Sequence, residues 1–147
     1  MSKIFLNTDG GARGNPGPAG VGVIITKADG TILKEAGRPL GWATNNVAEY
    51  QAVIFGLETL KQFFSKAKLK EMEVEVRLDS ELVAKQLRGE YQIKEENLFP
   101  FFINIWNKRV TDFPRLTFTH VPREVNHRAD LLANKAMDEQ GSTPTLI

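Results

Sequence analysis

The period of the hydrophobic pattern changes repeatedly along the chain, and this succession limits the possible folds more than any other feature. Apolar and polar residues alternate over Lys3–Asp9, as they do in a strand with one buried face, and Val21–Lys27 and Thr31–Ala36 are predicted to be two more strands. The second and third of these segments are joined by a loop containing Asp29-Gly30, a pair typical of tight hairpins. The pattern therefore begins with three antiparallel strands.

From Asn45 onwards the apolar residues recur every three or four positions, which predicts a long helix with Asn45 or Asn46 as its N-cap. Alternation returns at Glu73–Asp79 and is followed by a short helix that starts at Ser80 and ends near Gly89. The remaining predicted elements are a helix, a fifth strand and a final helix, over Asn97–Val110, Leu116–His120 and His127–Glu139. This order predicts an α/β fold, in which helices pack on a mixed sheet.

Two segments have compositions that invite a special interpretation. Five glycines and two prolines in Gly10–Gly20 predict a loop. This segment is not predicted to bind nucleotide phosphates, because it lacks the Gly-Lys-Ser/Thr ending of a phosphate-binding loop and is followed by a strand instead of a helix. The apolar cluster of Phe101, Phe102, Ile105 and Trp106 is predicted to belong to the core.

The 147 residues suit one domain, which we expect to cover 1–140, followed by a flexible tail over 141–147. The chain has no cysteine, which excludes zinc–thiolate sites, thiol nucleophiles and disulfides. A net charge of +1 means that any attraction to nucleic acid must come from local groups. No segment has the length and apolarity of a membrane span or a signal peptide, and we expect a cytoplasmic protein. A separate expectation is that the protein is a monomer.

Four carboxylates stand where carboxylates are costly or oddly placed. Glu49 lies at the start of the long helix on the stripe continued by Val53, Gly56 and Leu60, and an ionised group on that face needs a partner. Asp130 has the same relation to Ala133 and Met137 in the last helix.

Asp9 and Asp79 each end a predicted strand. If all four acids meet at one edge of the sheet, their mutual repulsion requires divalent cations, and two such ions can clamp a scissile phosphate. Each acid also has a local alternative: Asp9 can start a turn, Asp79 or Ser80 can cap a helix, and Glu49 and Asp130 can stabilise helix N-termini.

With these residues in view, the chain resembles the ribonuclease H type 1 family from Lys3 to Asp138. The resemblance rests on motifs in matching order, namely Thr8-Asp9-Gly10-Gly11 with Arg13-Gly14-Asn15, Thr44-Asn45-Asn46-Val47-Ala48-Glu49, Asp79-Ser80, and Asn126-His127-Arg128-Ala129-Asp130. It implies a ribonuclease H-like fold, with a five-stranded mixed sheet of three antiparallel and then two parallel strands flanked by helices.

The resemblance also implies that Asp9, Glu49, Asp79 and Asp130 are catalytic and bind two Mg²⁺ ions when substrate is bound, with Mn²⁺ as a substitute. The Gly10 backbone is a further candidate ligand. The implied reaction is hydrolysis of the RNA strand of an RNA/DNA hybrid, leaving a 5′-phosphate and a 3′-hydroxyl. RNA is selected through 2′-hydroxyls that are contacted across the minor groove.

Substrate contacts are implied for Asn15, Asn45 and Asn46 in the minor groove and for Thr44 at a DNA-strand phosphate. Amides suit this task because one end donates and the other accepts a hydrogen bond, although loop and cap chemistry is the alternative for these asparagines. Further candidates are Arg13 and Asn97 as substrate contacts, with Arg123 and Glu124 as auxiliary residues.

Several positions depart from the family pattern. Trp42 replaces an arginine of the phosphate pocket and suggests packing or stacking instead. The segment from Arg88 to Asn97 lacks the basic helical handle of many relatives. Neither His120 nor His127 matches the family's mobile histidine, and Glu124 is the candidate for its place. Two other functions therefore stay open: a catalytically weak binding module, and a nuclease that also cuts RNA duplexes or RNA–DNA junctions.

Overall fold

The computed structural model describes residues 2–141, which form one sheet with helices on both of its faces. The strands are β1 Lys3–Ala12, β2 Gly17–Lys27, β3 Ile32–Ala43, β4 Glu73–Leu78 and β5 Leu116–His120. Their order across the sheet is β3-β2-β1-β4-β5. The pairs β1–β2 and β2–β3 are antiparallel, whereas β1–β4 and β4–β5 are parallel. The five-stranded mixed sheet predicted from the sequence is confirmed.

The helices are α1 Asn45–Phe63, α2 Lys66–Glu71, α3 Glu81–Leu87, α4 Phe99–Thr111 and α5 His127–Gly141. A Cβ on Gly10 would meet α1, and a Cβ on its neighbour Gly11 would meet α5. Since successive residues of a strand face opposite sides of the sheet, these two helices cover opposite faces. Among the described residues, no helix is long and apolar enough to span a membrane.

The core fills the space between α1 and the sheet. Leu6 of β1 is fully buried and touches the position of Gly56 in α1, where a Cβ would lie 2.8 Å from both Leu6 methyl carbons. The remaining members are the alternating residues of the strands and the inner face of α1, such as Val23, Ile25, Val53, Leu57, Leu60, Val74 and Val76. Alternation along the strands therefore identified the buried face correctly.

The glycine-rich segment is mostly strand, so the predicted loop over Gly10–Gly20 is wrong at both of its ends. Residues 10–12 continue β1 and residues 17–20 begin β2. These residues are glycines because of helix approach and not because of a turn: a Cβ on Gly20 would lie 2.9 Å from the Ala133 carbonyl oxygen, and one on Gly22 only 2.3 Å from that of Ala129. These glycines let α5 lie close to the sheet.

Other boundaries also differ from the prediction. β3 continues to Ala43 rather than ending at Ala36, α2 was not predicted, and α4 starts at Phe99 after a short 3-10 turn over Glu96–Leu98. Ile105 is buried, but Trp106 is 53% exposed, because the next helical position lies about 100° around the axis. The core assignment of Trp106 is therefore wrong.

The predicted tail falls largely outside the described residues. Gly141, its first residue, still belongs to α5. Residues 142–147 lie outside the part of the chain that the structure describes.

Candidate functional site

The four suspect carboxylates come from four separate elements and line one cleft of about 560 Å³, here called the carboxylate cleft. Asp9 belongs to β1, and Asp79 directly follows β4, which is the parallel neighbour of β1. Glu49 and Asp130 lie near the starts of α1 and α5. Parallel strand ends and helix starts meet at the same edge of the sheet, so residues far apart in sequence converge there.

Three of these acids are close enough to share a cation. One carboxylate oxygen from each of Asp9, Glu49 and Asp79 lies within 4.8 Å of the other two. Asp130 lines the same cleft from the side of α5. This arrangement is the convergence that the sequence predicts.

The local alternatives for most of these acids do not hold. Thr44 is the N-cap of α1 and accepts from the Val47 N–H at 3.2 Å, and Ser80 caps α3 by accepting from the Val83 N–H at 3.2 Å. Asp79 is therefore not needed as a cap. Asp9 lies within β1 rather than at a turn, because the strand continues to Ala12.

The predicted caps at Asn45 and Asn46 are likewise wrong, because Thr44 occupies that position. Glu49 is the fifth residue of α1, so it lies beyond the first turn, where a helix terminus stabilises acids. For Asp130, by contrast, the local role persists, since it does lie in the first turn of α5.

Glu49 is a buried acid with an unsatisfied oxygen. The residue is 8% exposed, and its Oε2 has no hydrogen-bond partner among the described residues. Burial and the neighbouring charges of Asp9 and Asp79 raise its pKa well above the ordinary value, although the Gly10 N–H donates a hydrogen bond that lowers it. A buried acceptor without a donor is unfavourable unless a cation fills its place.

The other acids respond to the same crowding. Burial, followed by repulsion from Asp79, raises the pKa of Asp9 to about 8. Burial also raises the pKa of Asp79, while a hydrogen bond from Asn126 and the nearby charge of Arg123 oppose that rise. Like charges at this spacing favour protonation or metal binding over a set of free anions.

Two asparagines that the sequence did not single out lie beside the acids. Asn126 is 1% exposed, donates to the Thr8 carbonyl at 2.8 Å and accepts from the Asn7 Nδ2 at 3.0 Å. Asn134 donates to the Asp130 Oδ1 at 3.2 Å. The second contact had a signal, because asparagine four residues after an aspartate in a helix is a favourable pair. For Asn126 the sequence carried no signal beyond its place in a motif.

The candidate substrate residues form one rim of the carboxylate cleft. Asn45 and Asn46 line it, and Asn15 is tied to them because its Oδ1 accepts from the Asn45 N–H at 2.9 Å. The Asn45 Oδ1 in turn accepts from the Ala12 N–H at 2.9 Å. Thr44 adjoins them as the N-cap of α1. The loop between β1 and β2 is therefore fastened to the start of α1.

Only some of the further candidates line the carboxylate cleft. Arg13 lines the cleft, but its guanidinium is engaged by Asp138 and by the Asn134 side chain. Arg123 also lines the cleft. Asn97 and Glu124 are exposed and do not line it.

The departures from the family pattern have clear structural counterparts. Trp42 is 72% exposed, so it does not pack in the interior and only the stacking interpretation remains. Between α3 and the 3-10 turn at Glu96 no helix forms, and Arg88 there pairs with Glu90. Both histidines, His120 and His127, are exposed.

A divalent cation fits the residues that are present. The cluster offers hard carboxylate oxygens, which Mg²⁺ and similar ions prefer, and one of them is buried without a partner. Asp9, Glu49 and Asp79 are the residues that would hold such an ion, with Asp130 beside Asp9. The site is thus suited to divalent metal binding.

Comparisons with known proteins agree with this geometry. A family model described as reverse transcriptase-like matches residues 7–136. A ribonuclease H1 isolated from compost by a metagenomic approach is 51% identical, with a TM-score of 0.91 over 97% of this chain and 100% of that one. A structure of the same ribonuclease H1 in complex with an RNA/DNA hybrid has a TM-score of 0.90 at 50% identity, over 95% of this chain and 99% of that one.

Two relatives are longer than this chain. A ribonuclease HI of Halobacterium salinarum is 43% identical over 137 residues, which are 93% of this chain and 65% of the relative. A bifunctional protein of Mycobacterium tuberculosis is 41% identical over 137 residues, which are 92% of this chain and 36% of the relative. The chain thus spans less than two thirds of either relative.

Proposed function

Because the chain belongs to the ribonuclease H type 1 family, we propose that it is an endonuclease that hydrolyses the RNA strand of RNA/DNA hybrids. The products are a 5′-phosphate and a 3′-hydroxyl. One observation carries this proposal: oxygens of Asp9, Glu49 and Asp79 lie within 4.8 Å of one another, and the Glu49 Oε2 is buried without a partner. A solved relative bound to an RNA/DNA hybrid supports the substrate class.

The proposed catalytic residues are Asp9, Glu49, Asp79 and Asp130, which would hold the divalent cations. Two Mg²⁺ ions bound there would supply an activated water and stabilise the leaving oxygen, with Mn²⁺ as the expected substitute. Asn126 positions Asp79, and Asn134 positions Asp130. The protein part of the site is therefore preorganised, and its acids require charge compensation.

Recognition of the hybrid is assigned to the rim of the cleft. Asn15, Asn45 and Asn46 contact the minor groove, where 2′-hydroxyls distinguish RNA from DNA. Thr44 adjoins them as the candidate for a DNA-strand phosphate contact. Arg123 lines the cleft, and its positive charge opposes the burial that raises the pKa of Asp79. A single domain, a monomeric state and a cytoplasmic location remain predictions of the sequence.

A cleavage assay tests the proposal. Labelled RNA would be offered in a hybrid, in an RNA duplex and alone, with Mg²⁺, with Mn²⁺ and with a chelator. We expect metal-dependent cleavage of the hybrid, and Asp79→Asn should lower it by more than the roughly 10–100-fold typical of residues that only support a metal ligand. Metal-independent cleavage, or full activity of Asp79→Asn, would reject the mechanism.

The same assay separates the two alternative functions. The missing handle and the exposed Trp42 favour them, because both alter the surface that meets the substrate. Tight hybrid binding without cleavage in either metal would identify a binding module. Comparable rates on RNA duplexes or RNA–DNA junctions would identify a nuclease of relaxed preference.

A further inference from the structure

The side chain of Asn46 is held by an acid from a distant part of the chain. Its Nδ2 donates to the Oε1 of Glu95 at 2.8 Å. Glu95 is exposed and directly precedes the 3-10 turn at Glu96–Leu98, in the segment that replaces the basic handle of many relatives. An acid therefore contacts one of the amides assigned to the minor groove.

The chemistry of this contact determines which way the amide faces. A carboxylate has only acceptors, so the end of the Asn46 amide that meets Glu95 must be the NH₂ group. The carbonyl Oδ1 is then the end that faces away from Glu95. Since Asn46 lines the carboxylate cleft, it presents an acceptor to a ligand there.

The neighbouring amides are oriented in the opposite sense. Backbone N–H groups can only donate, and they meet the Oδ1 of both Asn45 and Asn15, from Ala12 and Asn45 respectively, each at 2.9 Å. Those two side chains therefore turn their NH₂ groups away from the backbone. The rim combines two amide donors with one amide acceptor, and Asn46 is the acceptor.

We propose that Glu95 is a positioning residue that fixes Asn46 as a hydrogen-bond acceptor for a donor in the minor groove of the substrate. This inference rests on the proposed function. The donors that a minor groove offers are the 2′-hydroxyl hydrogen of RNA and the N2 amine of guanine. Glu95 thereby contributes to specificity without touching the substrate.

A purely electrostatic role for Glu95 makes different predictions. A negative charge near the hybrid weakens phosphate attraction, so any neutral or positive replacement should tighten binding without changing selectivity. Glu95→Gln removes the charge but keeps an acceptor for Asn46. Glu95→Ala removes the partner, and Glu95→Lys offers only donors, which would turn the amide around.

The experiment measures hybrid binding by the full chain carrying Asp79→Asn, so that cleavage does not interfere. A series of hybrids would carry one 2′-deoxy substitution each, and a second series would replace one guanine by inosine. At the position read by Asn46 we expect a loss of about fivefold in affinity, the effect of one neutral hydrogen bond. If Asn46 accepts from a 2′-hydroxyl, the loss of affinity appears in the 2′-deoxy series. If it accepts from the N2 amine of guanine, the loss appears in the inosine series.

Glu95→Gln should keep this position-specific loss of affinity. In Glu95→Ala, Glu95→Lys and Asn46→Ala the modified and unmodified hybrids should bind with nearly equal affinity. Glu96→Gln, an equal charge change at the next exposed residue, is the matched control and should leave the loss intact. Selectivity that persists in Glu95→Ala and Glu95→Lys, or that is missing from the parent, would overturn the inference. Cleavage by the unmodified protein tests the proposed function separately.

Discussion

At the scale of a single residue, Glu49 is the costliest to keep as an anion, because it is buried and one of its two carboxylate oxygens is unsatisfied. Its Oε2 has no partner among the described residues, and two more acids lie within 4.8 Å. The cost is acceptable for a site that binds a cation, since the ion compensates several acids at once. Stability and activity should therefore conflict at this position.

Glu49→Gln should stabilise the metal-free protein while removing activity. The neutral amide keeps the shape and can still accept from the Gly10 N–H, so at pH 8 we expect a free energy of unfolding higher by about 1–3 kcal/mol. Chemical denaturation in the presence of a chelator measures this change. Glu58→Gln, at an exposed position of α1, is the control and should change stability little. A less stable Glu49→Gln protein would contradict this account of the site.

Trp42→Arg should restore a phosphate contact at the position where the family carries arginine. Trp42 is 72% exposed, so we expect no loss of stability, a lower KM and a salt dependence steeper by about one unit in log–log form. Kinetics on the hybrid across a salt series measure both quantities. Trp42 lies in β3, two residues before Thr44, whereas Trp106 is an exposed tryptophan of α4. Trp106→Arg therefore makes the same charge change elsewhere and should leave the slope unchanged.

At the scale of elements, glycines decide how near the helices come to the sheet. A Cβ on Gly10 would lie 2.1 Å from the carbonyl oxygen of Ala48, the residue before Glu49. The start of α1 therefore rests on the backbone of β1 next to Asp9. Close approach of these two elements is what brings their carboxylates together.

Gly10→Ala should push α1 away from β1 and separate Asp9 from Glu49. We expect a loss of about 3 kcal/mol in stability, at the upper end for overpacking, because backbone atoms must move. We also expect weaker metal binding, measured by calorimetric titration. Gly11→Ala is the control for stability, since its Cβ would meet the flexible end of Met137 at 3.3 Å. Equal effects of the two substitutions would contradict the role of helix approach.

At the scale of the whole molecule, the acid cluster links folding to pH and to metal. The pKa of Asp9 is about 8 in the folded state against an ordinary value of 3.8. Between these values the folded protein holds a proton that the unfolded chain releases. The contribution of Asp9 to stability is thus present below pH 4 and is lost as the pH rises towards 8.

The metal-free protein should therefore melt at a lower temperature at pH 8 than at pH 5. We expect a difference on the order of 5 °C, which Mg²⁺ should largely reverse at pH 8 because it binds the ionised acids. Calorimetry with a chelator and with Mg²⁺ measures this effect. Asp9→Asn should show a smaller difference, and a melting temperature that rises from pH 5 to pH 8 would contradict the linkage.

Much of the fold and the site was visible in the hydrophobic pattern. Alternation and helical periods are local consequences of burial, so they located the strands and the long helices, and they exposed Glu49 as a charge on an apolar stripe. The ordered motifs then identified the acids as one set. These features need only neighbouring residues to be recognised.

Contacts between distant segments were not visible in that pattern. The need for glycine at position 20 depends on Ala133 of α5, the orientation of Asn46 depends on Glu95, and the anchoring of Thr8 depends on Asn126. Each pair is separated by many residues, so its partner is known only when the chain is folded. Sequence periodicity reports which side of an element is buried, whereas packing selects what that side meets.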